Sequence, residues 1–289
     1  MALGLKPVDL GAYSSGLRLG SDGVWTAQQS FQVAYPTSGH HACFEVEESS
    51  FWFQHRNTCI AAVIDRFPPP GSGPIFDVGG GNGVVAAGLS ARGWPVVLVE
   101  PGEVGCRNAL ARGLQDVVHG TFEGASFRDG ALPAVGLFDV IEHIEDDVAF
   151  LRTVGSKLIP GGTIYATVPA YRWLWSIDDE EAGHARRYTK RSITDALQSA
   201  GFQLAYVSYF FSPLPLGILL LRTIPSLLRL LRTVSPDRTL REHKPGGLLQ
   251  QALTSILRIE QRLIPHRRIP FGSSILVHAR WSGSGDQPS

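Results

Sequence analysis

The sequence predicts an α/β fold built on a mostly parallel sheet. From residue 74 onward, short apolar runs alternate with stretches of helical length, a spacing typical of strand–helix–strand units. The first apolar run ends in a glycine-rich turn, as many such units do. The 289 residues are 44% hydrophobic and 18% charged, which excludes a disordered chain and allows a sizeable core.

Seven segments have the length and apolar content of strands. They are Pro74–Val78, Val96–Glu100, Asp116–His119, Val135–Val140, Thr163–Val168, Gln203–Tyr209 and Ser274–Arg280. Helices are expected to begin at Glu47, ending before the PPPGSGP segment, and over Gly83–Arg92, Val104–Arg112, Asp146–Leu158 and Thr189–Ala200.

Four regions follow from this pattern. Residues 1–46 form an N-terminal extension, for which a role as a substrate lid is one option. Residues 47–209 form the α/β core, and residues 210–272 form a helical insertion rich in leucine and basic side chains. Residues 273–289 contain the last strand and a polar tail.

The charge is zero overall but is unevenly distributed. Residues 1–209 carry 15 basic and 22 acidic residues, whereas residues 210–281 carry 11 and 3. The basic C-terminal part indicates an anionic partner, either a phosphate-bearing ligand or a membrane surface met through residues 210–232. A nucleic acid is not expected, because the basic residues lack interleaved aromatic residues. Prolines and arginines interrupt the leucine-rich stretch, so no transmembrane helix is predicted.

Cysteine usage indicates a reducing compartment. Cys43, Cys59 and Cys106 form an odd set without CxxC spacing, so neither a disulfide framework nor a metal site is expected. The first residues lack the basic start and apolar centre of a secretory signal. We therefore expect a cytoplasmic protein, with membrane association and homo-oligomerisation as open alternatives.

The glycine-rich turn carries the strongest functional signal. Residues 75–84 read IFDVGGGNGV, in which an apolar strand meets a run of glycines and then a helix. Bare backbone of this kind lets a ligand approach closely. Dinucleotides and S-adenosylmethionine both use such a turn. The dinucleotide pattern GxGxxG/A fits poorly here, whether it is counted from Gly79 or from Gly81. Glu100, at the end of the next strand, is placed to accept both hydroxyls of a ribose.

Three segments together resemble the class I S-adenosylmethionine-dependent methyltransferases, in particular the ubiquinone-biosynthesis type. The pattern D-x-G-x-G-x-G resembles their first motif, FDVIEHI at 138–144 resembles the end of their fourth strand, and LIPGGT at 158–163 resembles the turn before their fifth. The resemblance implies a Rossmann-like seven-stranded sheet with an antiparallel last strand, and S-adenosylmethionine as cofactor. It places these residues at the cofactor: Asp77, Gly79, Gly81, Gly83, Glu100 and Asp139.

Two further cofactor contacts are predicted with alternatives. The segment after the third strand lacks the aspartate that many members place at the adenine, so Phe122 is expected to stack there. Upstream, residues 50–56 resemble a segment of the same subgroup, in which Arg56 could pair with the cofactor carboxylate beneath Trp52. Packing of this helix on the sheet is the equal alternative for Trp52.

The loop after the fifth strand is expected to hold the methyl acceptor, because ligands of open α/β sheets bind beyond the carboxyl ends of the strands. It resembles the W-S-x-D…G-H-x-R-R-Y segment of the subgroup and offers Tyr171, Trp173, Trp175, Arg186 and Arg187. His184 is the first candidate for a general base and His143 the second. The alternatives are that His184 only anchors its loop on Asp178, and that the arginines pair with the acidic residues 179–181.

The sequence thus predicts a methyltransferase acting on a small, hydrophobic or lipid-linked acceptor, with O-methylation by a histidine base favoured. C-methylation of an isoprenoid (di)phosphate is one alternative, in which the aromatic residues hold the chain and the arginines hold the phosphate. A non-catalytic module on a methyltransferase fold and a nicotinamide-dependent oxidoreductase are the others.

Overall fold

The computed structural model describes residues 6–28, 47, 50–228 and 247–283. One sheet runs through this part of the chain, in the order β1-β2-β5-β4-β3-β6-β7-β9-β8. Its strands are β1 Leu17–Leu19, β2 Trp25–Ala27, β3 Ile75–Val78, β4 Val96–Glu100, β5 Val117–His119, β6 Leu132–Phe138, β7 Leu158–Pro169, β8 Phe202–Phe210 and β9 Ser274–Trp281.

The predicted seven-stranded, mostly parallel sheet is confirmed in strands β3 to β9. Neighbouring strands from β5 through β7 pair in parallel, with β3 at the centre between β4 and β6. The last strand, β9, inserts between β7 and β8 and runs antiparallel to both. The carboxyl ends of the parallel strands therefore share one edge of the sheet, where ligands of such folds bind.

Two short strands that the sequence did not predict extend the sheet. β1 pairs antiparallel with β2, and β2 pairs in parallel with β5, where Trp25 faces Val118. Strands of three residues are too short to produce a periodic hydrophobic pattern. This part of the N-terminal extension belongs to the sheet. Much of the extension lies outside the described residues, so a role as a substrate lid stays a prediction.

The helices of the described residues are α1 Phe51–Arg66, α2 Val84–Ser90, α3 Glu103–Ala111, α4 Asp147–Lys157, α5 Ile177–Ala182, α6 Lys190–Ser199, α7 Leu214–Ile218, α8 Ile224–Leu227 and α9 Gly247–Leu263. The five helices whose positions were predicted, α1 to α4 and α6, lie close to those positions, and the short helix α5 was not predicted. Ser50 caps α1 through its hydroxyl, which accepts a hydrogen bond from the backbone N–H of Trp52.

Helices cover both faces of the sheet, as predicted. Alternate side chains of the central strands enter different core clusters, because successive residues of a strand point to opposite faces. Phe76 and Val97 lie in the cluster that contains the apolar side chains of α4 and α6. Ile75 and Leu98 lie in the other, with those of α1 and α2. Strands buried on both sides are typical of parallel sheets.

The insertion between β8 and β9 is mostly helical in its described residues, and residues 264–273 before β9 are not helical. A π turn at Leu219–Thr223 joins α7 to α8, and α9 packs against α1. Among the described helices, none combines the length and apolar character needed to span a bilayer. Cys59 and Cys106 are free and buried, while Cys43 lies outside the described part of the chain.

Candidate active site

The glycine turn after β3 has the backbone geometry that only glycine adopts easily. Gly79, Gly81 and Gly83 have φ values of 67°, 56° and 74°, in the left-handed region. A Cβ atom on Gly79 would lie 3.0 Å from Cγ2 of Val140. The turn therefore needs glycine both for its conformation and for the close approach of the segment after β6.

Glu100 closes the turn from the neighbouring strand. Its carboxylate accepts hydrogen bonds from the backbone N–H of Gly81, at 2.8 Å, and of Gly102, at 2.7 Å. Burial raises the pKa of Glu100, and these two hydrogen bonds oppose that rise. The residue predicted to bind a ribose thus also fixes the position of the turn.

Asp77 lies beneath the turn and is completely buried. Neither carboxyl oxygen has a hydrogen-bond partner of normal geometry among the described residues. Burial raises its pKa to about 7, with Arg56 opposing the rise and Glu100 adding to it. Its predicted contact with a cofactor stays a prediction.

A polar network that the sequence analysis missed supports the same turn. Glu47 accepts hydrogen bonds from the side chains of Asn82, at 3.1 Å, and Arg112, at 2.8 Å. Arg112 also donates to the backbone carbonyl of Asn82 at 2.9 Å. These residues are 30 or more positions apart in sequence, so no local pattern links them. The network holds the glycine turn against α3 and the segment before α1.

Arg56 and Asp139, both predicted at the cofactor, meet at the same edge. Nη1 of Arg56 lies 2.6 Å from Oδ2 of Asp139, and Thr167 donates to the other carboxylate oxygen at 3.0 Å. Trp52 stacks on Phe211 with centroids 5.3 Å apart and planes 8° from parallel. Trp52 therefore packs on a buried ring, and its predicted place over the cofactor, like the pairing of Arg56 with the cofactor carboxylate, stays a prediction.

Three non-glycine residues with left-handed backbone follow strands that end at the same edge of the sheet. Asp139, Tyr171 and Phe211 have φ values of 60°, 59° and 59° and lie just after β6, β7 and β8. Such conformations are costly for these residue types and concentrate at functional sites. Their position at the ligand edge of the sheet agrees with a site there.

Phe122 is not placed as its predicted role requires. Its side chain is 3% exposed and packs against Phe127 and Phe150, with centroids 5.3 and 6.2 Å apart. A ring that belongs to the core offers little surface for stacking on adenine. The sequence indicated an aromatic residue near the third strand but not the direction of its side chain.

The two candidate bases meet, although 41 residues separate them in the chain. The imidazole centroids of His143 and His184 are 4.8 Å apart. Nδ1 of His184 lies 2.8 Å from Oδ1 of Asp179, and Nδ1 of His143 lies 3.3 Å from the carbonyl oxygen of Gly183. One alternative from the sequence had His184 anchor its loop on Asp178; in the structure its partner is Asp179.

Arg186 and Arg187 are engaged in ion pairs. Arg187 binds both oxygens of Asp179, at 2.7 and 3.0 Å, and also donates to the carbonyl of Ala170. Arg186 lies 3.2 Å from Asp147. Burial acts to raise the pKa of Asp179, but hydrogen bonds from His184 and Arg187 outweigh it and lower the pKa. Arg187 therefore orders the loop, and the predicted role of both arginines in anion binding gains no support.

The predicted aromatic residues divide between two environments. Tyr171 stacks with Trp173 and Tyr209, with centroids 5.3 and 4.9 Å away, and Trp173 is 47% exposed. The indole N–H of Trp175 instead points toward a carboxylate oxygen of Glu180, at 3.4 Å. The first group offers an exposed aromatic surface beside the crevice.

Known proteins share this architecture. A profile of the methyltransferase domain matches residues 52–207, which is more than half of the chain. A ubiquinone biosynthesis O-methyltransferase of Methylocella silvestris is 35% identical over 109 residues, covering 35% of this chain and 43% of that protein. A "Probable S-adenosylmethionine-dependent methyltransferase" of Mycolicibacterium smegmatis is 23% identical over 174 residues, covering 59% of this chain and 66% of that protein.

A solved structure shows the same fold. An S-adenosylmethionine-dependent methyltransferase of Thermotoga maritima superposes with a TM-score of 0.52 at 15% identity, covering 85% of this chain and 99% of that one. The domain match spans the glycine turn, Glu100 and the two histidines. The chain belongs to the family of S-adenosylmethionine-dependent methyltransferases.

Proposed function

We propose that this protein transfers the methyl group of S-adenosylmethionine to a hydroxyl oxygen of a small, hydrophobic acceptor. The observation that carries this proposal is His184, held by Asp179 at the edge of the sheet that bears the glycine turn. In the reaction, the hydroxyl loses its proton, the oxygen lone pair forms the O–CH3 bond, and the electrons of the S–CH3 bond stay on sulfur. S-Adenosylhomocysteine leaves as a neutral thioether.

His184 suits the role of base because its orientation is fixed. A carboxylate can only accept, so Nδ1 of His184 carries the proton that Asp179 binds. Nε2 is then the nitrogen that takes the hydroxyl proton, and Asp179 stabilises the imidazolium that forms, as the carboxylate does in a catalytic triad. The short ion pair of Asp179 with Arg187 in turn fixes the carboxylate.

The surroundings of the crevice favour an apolar acceptor. The aromatic surface of Tyr171, Trp173 and Phe271 lies at the end of β7 and before β9, and Phe271 is 45% exposed. Transfer to a hydroxyl agrees with the name of the Methylocella silvestris relative, an O-methyltransferase of ubiquinone biosynthesis. C-methylation of an isoprenoid (di)phosphate is less favoured, because both arginines expected to bind phosphate hold carboxylates instead.

A peripheral contact with an anionic membrane would deliver such an acceptor. Large apolar side chains of the insertion are exposed: Leu216, Leu220, Leu221, Leu227, Leu228, Ile256 and Ile259. The region from 210 to 281 carries 11 basic and 3 acidic residues, which favours anionic lipids. We expect the protein to sediment with phosphatidylglycerol vesicles and not with phosphatidylcholine vesicles, and to lose this binding in Leu221→Ser/Leu227→Ser. Equal binding to both vesicles would contradict the charge argument.

The activity is tested with methyl-labelled S-adenosylmethionine on cell lipid extract and on catechol-type phenols, with detection of methylated products by mass spectrometry. We expect His184→Gln to bind S-adenosylhomocysteine like the wild type but to transfer methyl groups about 10²-fold to 10⁴-fold more slowly. Gly81→Val should lose both properties, because it fills the turn and strains its backbone.

The pair of variants separates chemistry from cofactor binding. Circular dichroism of both shows whether they are folded. Undiminished methyl transfer by His184→Gln would show that this histidine is not the base. Undiminished cofactor binding by Gly81→Val would show that the cofactor does not bind at the glycine turn. Failure to find any methylated product while S-adenosylhomocysteine binds would favour a non-catalytic module.

A further inference from the structure

A basic pocket lies between the ends of α1 and α9, beside the edge strand β8. Its volume is about 240 Å³, and its charged lining consists of Arg66, His266, Arg267 and Arg268. Arg66 is the last residue of α1, whereas the other three lie in the segment after α9. None of the residues that line the pocket is acidic. A concave surface with charge of one sign attracts ions of the opposite sign, here anions.

The basic side chains of this pocket form few contacts with the protein. Those of Arg66, His266 and Arg267 make no hydrogen bond or ion pair with any other described residue. The guanidinium of Arg66 lies over the ring of Phe67, 5.3 Å from its centroid. Arg268 makes one long hydrogen bond, 3.4 Å from Nη2 to a backbone carbonyl of β8. Most of the N–H donors in the pocket are therefore available to a ligand.

Capping of the two helices does not account for these side chains. Basic residues often occur near helix C-termini, where they bind the last backbone carbonyls. Here the hydroxyl of Tyr206 donates to the carbonyl oxygen of Ile264, at 2.6 Å, just after α9. The hydroxyl of Tyr165 donates in the same way to the carbonyl oxygen of Phe67, just after α1. Tyrosines thus bind the carbonyls that the arginines would otherwise cap.

We propose that this pocket binds the phosphate group of an anionic ligand. The planar guanidinium group matches the spacing of phosphate oxygens and donates strong, charge-assisted hydrogen bonds to them. Because Arg66 lies on a different segment from Arg267 and Arg268, the two sides of the pocket can bind different oxygens of one tetrahedral group. Asp65, next to Arg66 in the chain, does not compete, since Arg92 and Trp94 bind its carboxylate oxygens.

The pocket lies away from the edge of the sheet that carries the glycine turn. Arg56, which pairs with Asp139 at that edge, and Arg66 both belong to α1. At 1.5 Å per residue, about 15 Å of helix separates them. The phosphate site is therefore distinct from the predicted sites of the cofactor and the methyl acceptor.

Two kinds of molecule carry such a group, an anionic lipid and a soluble phosphorylated compound. Ile256, Ile259 and Leu263 of α9 are 47%, 59% and 38% exposed and share one face of the helix that leads to the pocket. With a lipid, these side chains would contact the bilayer while the headgroup phosphate enters the pocket. The lipid form rests on the membrane contact proposed above, whereas binding of the phosphate group does not.

The site is tested by calorimetric titration of the full chain with inorganic phosphate and with glycerol phosphate, at about 0.15 M ionic strength. We expect one ligand per chain, and Arg66→Gln/Arg267→Gln should weaken binding at least about 10-fold. The matched control is Arg258→Gln/Arg262→Gln, which removes the same charge from exposed positions of α9 outside the pocket. It should bind within about twofold of the wild type, because exposed charges are screened at this salt concentration.

Sedimentation with phosphatidylglycerol vesicles identifies the source of the phosphate. Weaker vesicle binding by Arg66→Gln/Arg267→Gln than by the control supports a lipid headgroup. A difference seen only with the soluble compounds supports a soluble ligand. Absence of binding of all three probes, or equal affinity of the two double variants for every probe, overturns the site. Affinity for S-adenosylhomocysteine, measured on each variant, shows that the rest of the protein is folded, so a negative result leaves the methyltransferase proposal intact.

Discussion

Two clusters of glutamate and histidine differ in how fully their carboxylates are hydrogen-bonded. Glu260, in α9, accepts hydrogen bonds from His55 at 2.7 Å and from the backbone N–H groups of Phe211 and Ser212 at 2.6 and 2.8 Å. Cys59 lies 3.4 Å from the same imidazole nitrogen. Glu142, equally buried, accepts no hydrogen bond from the described residues.

The difference separates a buried carboxylate that accepts several hydrogen bonds from one that accepts none from other described residues. Burial acts to raise the pKa of Glu260, but the hydrogen bonds from His55 and Ser212 lower it below its usual value. For Glu142, burial and the charge of Asp139 raise the pKa, and the charges of Arg56 and Arg187 oppose the rise without cancelling it. Glu260 therefore joins the insertion to α1 and to the end of β8, whereas the carboxylate of Glu142 joins no two elements in this way.

The largest effect on stability is expected for Glu260→Gln. This change removes the charge that three donors bind and introduces N–H groups that face other donors. The free energy of unfolding should fall by about 3 kcal/mol. Urea denaturation followed by circular dichroism measures it. A loss below about 1 kcal/mol would mean that the insertion is held to the core by other contacts.

The matched change, Glu142→Gln, should leave the free energy of unfolding unchanged or raise it by up to about 1 kcal/mol. It removes a buried acid whose oxygens accept no hydrogen bond from other described residues. The same urea series measures the change. A destabilisation as large as that of Glu260→Gln would end the distinction between the two clusters.

A second buried histidine, besides His55, sharpens the comparison because it has no acidic partner among the described residues. His278 is 1% exposed, lies between the rings of Phe67 and Tyr165 at 5.1 Å from each, and has no hydrogen-bond partner for either nitrogen among the described residues. Burial lowers its pKa to about 4, from an ordinary value of 6.5, with Arg280 adding to the shift.

The unfolded chain therefore binds more protons than the folded protein between pH 6.5 and pH 4, and stability is lost as the pH falls through this range. From pH 8 to pH 5, this histidine should cost about 2 kcal/mol of unfolding free energy. His278→Phe should show a correspondingly smaller loss, measured by urea denaturation at both pH values. Equal losses in wild type and variant would contradict the depressed pKa.

Features carried by neighbouring residues could be predicted from the sequence. The strands β3 to β9, the glycine turn and the position of Glu100 depend on apolar runs, turn residues and strand ends, which are local patterns. The short strands β1 and β2 could not be predicted, because β2 is held by pairing with the distant strand β5 and β1 by pairing with β2. The network of Glu47, Asn82 and Arg112 could not be predicted either, because its residues are far apart in the sequence.

The sequence by itself determined the seven strands β3 to β9, the glycine turn and the candidate residues His143 and His184. Only the tertiary structure decided the side-chain partners: Asp179 for His184, carboxylates for Arg186 and Arg187, and, among the described residues, no hydrogen-bond donor for the carboxylate of Glu142. The physical reason is that hydrogen bonding and burial depend on where side chains from distant segments meet. Those positions are fixed when the loops after β6 and β7 pack together at one edge of the sheet.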